Sequence, residues 1–313
     1  MDNRQFIYTY SRHRDEHDLC RLEMRAFFGF DVASNILISP LEIDPSRSPF
    51  MKERLDVLRE ADTLEELYRK IESVDSGNRT FKVLCLNSTD LGDTKKIGHA
   101  DRRKIERDAG LRIPGEPDLN EPQLTYGIVR QDGLWYFGEH KPSEAVWYEH
   151  QQKPHMYSTA LGTRLARAVV NIAVPFPEGI RAIDPCCGIG TVLVEALSMD
   201  IAMKGRDINP LVVWGSRKNI KHFGLEGDVA IGPIAEVADE YDVAIIDMPY
   251  NLFTHITDEG QLDILKEARR FTKKLVVVTI DTIDHMIHEA GFSIMDRCVA
   301  KKGTFSRQIL VCE

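Results

Sequence analysis

Hydrophobic and polar positions follow two regular patterns along the second half of the chain, from about residue 160 onward. Short apolar runs predict strands buried on both faces, and segments in which apolar residues recur every three or four positions predict amphipathic helices. The predicted helices cover residues 162–173, 191–199, 210–222, 260–270 and 283–290. The predicted strands cover residues 180–184, 201–206, 228–231, 242–247 and 274–279, with two more near 293–299 and 307–312.

This alternation of strand and helix predicts an α/β fold with a doubly wound parallel sheet and right-handed crossovers. The last two strands follow each other without a helix between them. We therefore expect them to end the sheet as an antiparallel hairpin.

The first half of the chain lacks such regular alternation. Strands are predicted at residues 6–10, 35–39 and 81–86, and helices at 15–28, 50–59, 64–71 and 101–109. Residues 124–129 and 133–138 predict a hairpin around the turn Arg130-Gln131-Asp132-Gly133. This mixture predicts small α+β units rather than a second doubly wound sheet.

With 313 residues, 43% of them hydrophobic and 28% charged, the composition indicates a soluble globular protein of two or three domains. No apolar run is long enough to span a membrane, and the first residues do not resemble a signal peptide. The net charge of −9 argues weakly against a nucleic-acid partner. It does not decide the question, because charge on one face matters more than the sum. The oligomeric state stays open.

Cysteine and histidine usage bears on metals and on the compartment. The six cysteines, at positions 20, 85, 186, 187, 298 and 312, form no Cys-x-x-Cys pair, which predicts reduced thiols, a cytoplasmic location and no structural zinc. The ten histidines show no metal-ligand spacing, so no metal is expected.

A glycine-containing turn follows the predicted strand 180–184, in the run Asp184-Pro185-Cys186-Cys187-Gly188-Ile189-Gly190-Thr191. The glycines permit a tight turn and close approach to a ligand, and the next helix offers unpaired N–H groups at its start. Asp207 stands about 20 residues past the turn, where an acid can bind a ribose diol. There is no third glycine, and an acid precedes the turn, so a pyrophosphate fits poorly. A ligand with an ammonium group and a ribose, such as S-adenosylmethionine, fits better.

The strand at 242–247 ends in Asp247-Met248-Pro249-Tyr250. Together with the glycine-containing turn, this motif resembles those of the class I methyltransferases that methylate exocyclic amines. Their second motif normally reads Asp/Asn-Pro-Pro-Tyr, so Met248 is a departure from the family pattern. The resemblance implies a Rossmann-like fold, S-adenosylmethionine as the cofactor, and catalytic roles for Asp247, Pro249 and Tyr250. The residues it implies for cofactor binding are Asp184, Cys186, Gly188, Gly190, Thr191, Asp207 and Ile208.

The chemistry of such a site follows from the acceptor. An exocyclic amine conjugated to a base ring is a poor nucleophile, and positive charge builds on its nitrogen during methyl transfer. The Asp247 carboxylate can accept an N–H bond and stabilise that charge, with a peptide carbonyl near Met248 or Pro249 as a second acceptor. Tyr250 offers a ring on which the target base can stack. For Asp247 and Asp207, the alternative roles are capping of a turn and of the next helix.

Residues of roughly 80–140 resemble a THUMP domain, an RNA-binding module of tRNA-modifying enzymes. The resemblance rests on Arg102-Arg103-Lys104-Ile105 and on Gly133-Leu134-Trp135-Tyr136-Phe137-Gly138. It implies that Arg102, Arg103, Lys104 and Arg107 contact RNA, whereas a solvated helix is the alternative. The predicted domains are a ferredoxin-like lead-in (1–65), a THUMP-like domain (66–145), a linker (146–160) and a class I methyltransferase domain (161–313).

The resulting hypothesis is an S-adenosylmethionine-dependent methyltransferase acting on the N2 amine of a guanine, with tRNA or another structured RNA as its partner. Two alternatives are a DNA amino-methyltransferase and a non-catalytic RNA-binding protein with a degenerate methyltransferase domain. The segment Lys301-Lys302-Gly303-Thr304-Phe305-Ser306-Arg307, in the last predicted hairpin, is either a solvated loop or a substrate contact.

Overall fold

The computed structural model describes residues 4–31, 34–86, 97–157, 160–249, 256–303 and 305–313. The chain divides into two compact units. The N-terminal unit comprises Met1–Ser11, Val32–Ser46 and Phe50–Glu144. The C-terminal unit comprises Arg12–Asp31, Arg47–Pro49 and Ala145–Glu313. Within the described ranges, every helix is too short or too polar to cross a membrane.

The described residues form helices and strands in both units. The strands are β1 Phe6–Tyr10, β2 Ile36–Ser39, β3 Met51–Ala61, β4 Phe81–Cys85, β5 Leu124–Gln131, β6 Leu134–Pro142, β7 Arg181–Asp184, β8 Ala202–Asp207, β9 Val229–Ile231, β10 Tyr241–Asp247, β11 Thr272–Thr279, β12 Ile294–Lys302 and β13 Phe305–Cys312. The α-helices are α1 His17–Phe28, α2 Leu64–Ile71, α3 His99–Gly110, α4 Thr163–Ala173, α5 Thr191–Leu197, α6 Pro210–His222, α7 Asp258–Phe271 and α8 Asp284–Glu289. Short 3-10 turns lie at Arg14–Glu16, Pro45–Arg47, Val146–Gln152 and Ile234–Glu236.

The N-terminal unit is built on one mixed sheet with the strand order β2-β1-β3-β6-β5-β4. Only β4 and β5 are paired in parallel among its described strands. Aromatic residues fill one of its cores, where Tyr126 stacks on Phe137 with the ring centroids 5.0 Å apart. The hairpin predicted around residues 130–133 is confirmed as β5 and β6.

The prediction of a helix at residues 50–59 is wrong, because this stretch is the long strand β3. It lies between β1 and β6 and pairs antiparallel with both. Its charged residues are held by partners on those neighbours: Glu53 accepts a hydrogen bond from Thr9 Oγ1 at 2.7 Å and lies 2.8 Å from His140 Nε2. Two flanking strands thus override the helix propensity of a Lys/Glu/Arg/Leu-rich segment.

The C-terminal unit has the predicted doubly wound sheet, with the strand order β12-β13-β11-β10-β7-β8-β9. Strands β7 to β11 are parallel where they pair, and β13 joins β11 antiparallel. The final hairpin of β12 and β13 is also confirmed. Apolar side chains from the central strands are fully buried in its core, among them Ala244, Ile246, Leu275 and Val277. The predicted fold class is therefore confirmed for this unit.

Three acidic residues end three of the parallel strands. Asp184 is the last residue of β7, Asp207 the last of β8 and Asp247 the last of β10. The order β10-β7-β8 makes these strands neighbours, so their carboxyl ends meet at one edge of the sheet. Ligands of open α/β sheets bind at this edge, and the order of strands reverses here between β7 and β10.

The predicted domain boundaries differ from the two compact units. Strands from residues 1–65 and from residues 66–145 share one sheet, so residue 65 does not separate two units. Residues 12–31, which we placed in the lead-in, belong instead to the C-terminal unit as α1 and the 3-10 turn before it.

Buried polar contacts tie α1 to the C-terminal unit. Glu23 is fully buried and accepts hydrogen bonds from Asn171 Nδ2 of α4 at 2.7 Å and from Ser48 Oγ at 2.5 Å. Burial raises the pKa of Glu23 to about 7. Arg25 forms a two-pronged ion pair with Asp296 of β12 at 2.8 and 2.9 Å. These partners are about 150 and 270 residues away in sequence.

Candidate functional site

A cavity of about 580 Å³ opens at the carboxyl edge of the C-terminal sheet. This volume lies in the usual range of small-molecule and cofactor sites. The described lining residues are Tyr157, Ala160, Leu161, Asp184, Pro185, Cys186, Cys187, Gly188, Ile189, Thr191, Val192, Asp207, Ile208, Asn209, Val212, Gly232, Pro233, Ile234, Asp247, Met248, Pro249, Ile256 and Ile264. The structure thus brings together the predicted cofactor residues around one space, with Gly190 just behind the lining. Tyr250 lies outside the described residues.

The turn between β7 and α5 requires glycine at residue 190. Gly190 has a φ of 76° and precedes the first residue of α5. A Cβ added there would lie 2.2 Å from the Ser216 side-chain oxygen of α6. Gly188 has a φ of 51° but open space around it, so only its backbone conformation favours glycine. The glycine turn therefore packs directly on α6 while its other side faces the cavity.

Asp207 orders this turn from the neighbouring strand. Its Oδ2 accepts a hydrogen bond from Gly188 N at 2.8 Å, and its Oδ1 accepts one from Asn209 N at 2.9 Å. Asn209, rather than Asp207, caps α6 by accepting from Leu211 N at 3.0 Å. Each carboxylate oxygen has two lone pairs, so Asp207 keeps acceptor capacity for the hydroxyls of a ligand.

Asp184 is the most deeply buried of the three acids, with 3% of its surface exposed. Its Oδ1 accepts a hydrogen bond from Cys186 N at 3.2 Å. Burial, followed by the nearby charges of Asp247 and Asp207, raises the pKa of Asp184 well above its usual value. Burial also raises the pKa values of Cys186 and Cys187, so both thiols stay protonated near neutral pH. Neutral buried thiols favour a packing role for these cysteines over a chemical one.

The charges of the cavity are all of one sign among the described lining residues. Asp184, Asp207 and Asp247 supply carboxylates, and the lining includes no lysine, arginine or histidine. Such a surface disfavours a pyrophosphate and favours a ligand that carries positive charge. The arrangement therefore fits a sulfonium compound with an ammonium group better than a dinucleotide.

Thr191, the first residue of α5, indicates that the ligand also carries a hydrogen-bonding group at this position. Its side chain is 5% exposed and its Oγ1 has no hydrogen-bond partner in the described part of the chain. The same helix start presents N–H groups that lack intrahelical acceptors. A carboxylate on the ligand would satisfy both, since a helix N-terminus favours negative charge. The methionine moiety of S-adenosylmethionine carries such a carboxylate.

A buried asparagine that the sequence analysis missed holds two walls of the cavity together. Asn219 of α6 is 0% exposed. Its Nδ2 donates to Ile189 O in the glycine turn at 2.9 Å and to His155 O at 3.0 Å, while its Oδ1 accepts from His155 N at 2.9 Å. The signal was present in the sequence as a polar residue on the apolar face of α6, next to Ile220.

A buried cluster of three charged or polar side chains anchors the segment before α4 to α5. His150 Nδ1 lies 2.8 Å from Glu195 Oε1 of α5, and Arg167 of α4 donates to the other oxygen of Glu195 at 3.0 Å. All three side chains are at most 5% exposed. Residues 146–160 were predicted as a linker, and His150 anchors the described part of this segment, which leads to the cavity wall at Tyr157.

Met248, the departure from the family motif, has a structural explanation. Its side chain is 1% exposed and belongs to the hydrophobic core of the unit, and its N donates to Val278 O of β11 at 2.9 Å. The substitution of methionine for proline therefore adds core packing and a backbone hydrogen bond next to Asp247. Pro249 follows at the cavity wall, with its carbonyl 3.4 Å from Gln261 Nε2.

The four residues predicted to contact RNA lie on α3 in the N-terminal unit. Arg103, Lys104 and Arg107 are exposed, and Arg102 is half-buried. Arg103 pairs with Glu106 at 3.2 Å and Arg107 with Asp108 at 3.3 Å. The helix is therefore as predicted, but two of its basic residues have acidic neighbours.

Comparison with known proteins places the cavity in a recognised kind of domain. Residues 150–282 match the UPF0020 family, described as RMKL-like, methyltransferase domain. This range covers less than half of the chain and includes both the glycine turn and Asp247. The stretch that contains the glycine turn and Asp247 is thus similar to a methyltransferase domain, which confirms the resemblance on which the prediction was based.

Three curated relatives match longer stretches. The tRNA (guanine(10)-N2)-dimethyltransferase of Methanothermobacter thermautotrophicus is 27% identical over 188 residues, covering 55% of this chain and 54% of that protein. The tRNA (guanine(6)-N2)-methyltransferase of Archaeoglobus fulgidus is 22% identical over 310 residues, covering 83% and 78%. The human U6 snRNA (guanine-N(2))-methyltransferase THUMPD2 is 26% identical over 186 residues, covering 55% and 34%. The chain spans about half the length of the first two relatives that it matches.

Proposed function

We propose that this protein is an S-adenosylmethionine-dependent methyltransferase that acts on the exocyclic N2 amine of a guanine in RNA. The observation that carries the proposal is the cavity itself. Three strand-end carboxylates surround it at the switch point of the sheet, inside a domain that matches a methyltransferase family.

The residues that would hold the cofactor divide by its chemical groups. Asp207 would accept hydrogen bonds from the ribose hydroxyls, as its remaining lone pairs allow. Thr191 and the start of α5 would bind the carboxylate, and Asp184 would face positive charge. When bound, the cofactor supplies an electrophilic methyl group on a sulfonium. No residue of the chain needs to act as a covalent nucleophile.

Asp247 would act on the acceptor amine. A carboxylate at the end of β10 can accept an N–H bond from the amine and favour a geometry in which its lone pair is available. It would also stabilise the positive charge that develops on nitrogen during transfer. Met248, buried in the core beneath, would keep the backbone of this corner rigid.

The three relatives guide the choice of substrate. Their names differ in the RNA and in the position, namely guanine 10 or guanine 6 of tRNA and U6 snRNA, but all name guanine N2. We extend only this shared part and propose an RNA that contains a guanine whose base can be exposed. Arg102, Arg103, Lys104 and Arg107 of α3 would contribute to RNA binding in a THUMP-type N-terminal unit. Reduced, unpaired cysteines support a cytoplasmic location.

Replacement of Asp247 tests the proposal. Asp247→Ala should lower transfer of labelled methyl groups to bulk tRNA by about a hundredfold or more, as loss of a transition-state partner typically does. S-adenosylmethionine should still bind, which calorimetry would measure. Asp242→Ala is the matched control, because Asp242 lies on the same strand at its opposite, exposed end. Full activity in Asp247→Ala would remove the catalytic assignment.

The DNA alternative is tested in the same assay. Equal amounts of RNA and single-stranded DNA, each with one guanine, would be offered to the wild-type protein. The proposal predicts labelled RNA and unlabelled DNA, whereas preferential labelling of DNA would favour a DNA amino-methyltransferase.

A further inference from the structure

We infer that the tip of the β12–β13 hairpin, residues 301–303 and 305–307, is an RNA-contacting surface that holds nucleotides flanking the target base. The inference rests on the proposed function, because it adds a substrate contact to the same edge of the sheet. It uses a basic segment that neither the cavity nor the cofactor explains.

The strand register places this tip on the same side of the molecule as the cavity. Val278 of β11 pairs with Asp247 of β10 on one side and with Ile309 of β13 on the other. β11 ends at Thr279, opposite Gln308. Residues 305–307 and their partners 300–302 therefore continue beyond the carboxyl edge of the parallel strands, into the space above that edge.

The same register gives the distance between the hairpin tip and Asp247. β13 is two strands from β10, or about 10 Å across the sheet, and Phe305 is four residues beyond the level of Asp247, or about 13 Å along the strand. The two residues are therefore about 16 Å apart along the sheet by these spacings. That separation is too long for Phe305 to touch the target base and suits contact with neighbouring nucleotides of the same strand.

The side chains at the tip suit single-stranded RNA. Phe305 is 37% exposed and carries the Arg307 guanidinium over its ring, with Cζ 4.6 Å from the ring centroid. Phe305 and Arg307 are two residues apart on one strand, so they project on the same face. Lys301, opposite Ser306, is exposed on the other face. An aromatic ring beside an arginine is a combination with which proteins stack bases and bind the phosphate backbone, and Lys301 adds a cation on the other face of the tip.

The local charge also departs from that of the whole chain. The protein has a net charge of −9, yet residues 297–307 contain two arginines and two lysines and no acid. Of these four basic residues, Arg297 pairs with Asp284 at 2.6 Å, and the other three stand at positions 301, 302 and 307 of the sequence. A polyanion is the partner that such a local reversal of sign favours.

Binding of bulk tRNA as a function of salt separates the two kinds of contact. Phe305→Ala should weaken RNA affinity about five- to tenfold, as loss of one stacked base does, without changing the slope of log affinity against log salt. Lys301→Gln and Arg307→Gln should each lower that slope by about 0.7, the value for one phosphate contact to a single strand. Phe305→Tyr should restore the affinity of the wild type, because it keeps the ring.

Two controls lie at the opposite edge of the sheet. Met295→Ala removes an exposed apolar side chain near the start of β12, and Lys273→Gln removes an exposed charge near the start of β11. Both should leave RNA affinity and the salt slope unchanged. All variants should bind S-adenosylmethionine like the wild type, which shows that the sheet edge is intact.

The outcomes separate this inference from the proposed function. Wild-type affinity and slope in the three tip variants, or an absence of RNA binding by the wild type, would overturn the inference. If the tip variants weaken RNA binding while the wild type transfers no methyl group to RNA, the surface stands and the proposed function fails.

Discussion

Substitution of Asp184 by asparagine tests whether the cavity has the electrostatic character described above. The carboxyl group of Asp184 is 3% exposed and has two other carboxylates near it. Burial is the largest cause of its raised pKa, and the charges of Asp247 and Asp207 add to it. Asparagine keeps the shape and an oxygen acceptor for Cys186 N, but it cannot ionise.

The size of the effect follows from proton linkage. An unfolded aspartate titrates near pH 3.9, and above that value the folded protein holds one proton more than the unfolded chain until the pH reaches the folded pKa. In this window the free energy of unfolding falls by about 1.4 kcal/mol per pH unit. The stabilisation is complete below about pH 3.9 and is lost as the pH rises through the folded pKa. Because asparagine cannot ionise, the free energy of unfolding of the Asp184→Asn variant does not fall for this reason.

Urea unfolding of the ligand-free proteins at pH 4.5, 5.5 and 6.5 measures the effect. The stability of Asp184→Asn relative to the wild type should increase with pH up to the folded pKa of Asp184, with a limiting slope of about 1.4 kcal/mol per pH unit. Asp228→Asn, on the exposed loop before β9, controls for the loss of a carboxylate. Asp184→Asn should also bind S-adenosylmethionine more weakly, since asparagine cannot ionise beside the positive charge of the ligand. Parallel stability profiles of the variant and the wild type over this range would refute the reasoning.

Four further variants test other parts of the C-terminal unit. Gly190→Ala should weaken cofactor binding and destabilise the protein by at least about 1 kcal/mol, because it combines a φ of 76° with a Cβ 2.2 Å from a side-chain oxygen. Gly188→Ala, with open space around it, should cost less, and equal unfolding energies in the two variants would contradict the packing argument. Asp207→Asn should lower affinity for S-adenosylmethionine about tenfold or more, as loss of a hydrogen bond to a charged group does; unchanged affinity in calorimetry would exclude the ribose role. Arg167→Met should destabilise the protein by about 3 kcal/mol or more in chemical unfolding, because it leaves the buried Glu195 without its arginine; a loss below about 1 kcal/mol would show that the pair is not important.

The doubly wound sheet of the C-terminal unit and the helices between its strands could be predicted from the sequence almost completely. Its strands are apolar runs and its helices are amphipathic, so each element could be read from its own residues. The three acids fall at strand ends, and parallel strands bring their ends to one edge. The location of the cavity therefore followed from local pattern and one topological rule.

The errors arose where distant residues decide the structure. The residues of β3 include Lys52, Glu53 and Arg54, which favour a helix, and only the pairing with β1 and β6 makes a strand. Likewise, α1 has the pattern of an ordinary amphipathic helix, and nothing local shows that Glu23 will pack against α4. Asn219 escaped notice because its partners come from two other segments. A single sequence contains no record of such contacts.

The central claim is that the cavity presents a methyl donor to the N2 amine of a guanine in RNA. Mass spectrometry of nucleosides tests it most directly, after incubation of the wild-type protein with bulk tRNA and S-adenosylmethionine that carries a deuterated methyl group. The account predicts deuterium in N2-methylguanosine or N2,N2-dimethylguanosine, and none of it when Asp247→Ala replaces the wild type. Deuterium in any other nucleoside, or an equal yield from Asp247→Ala, would contradict it.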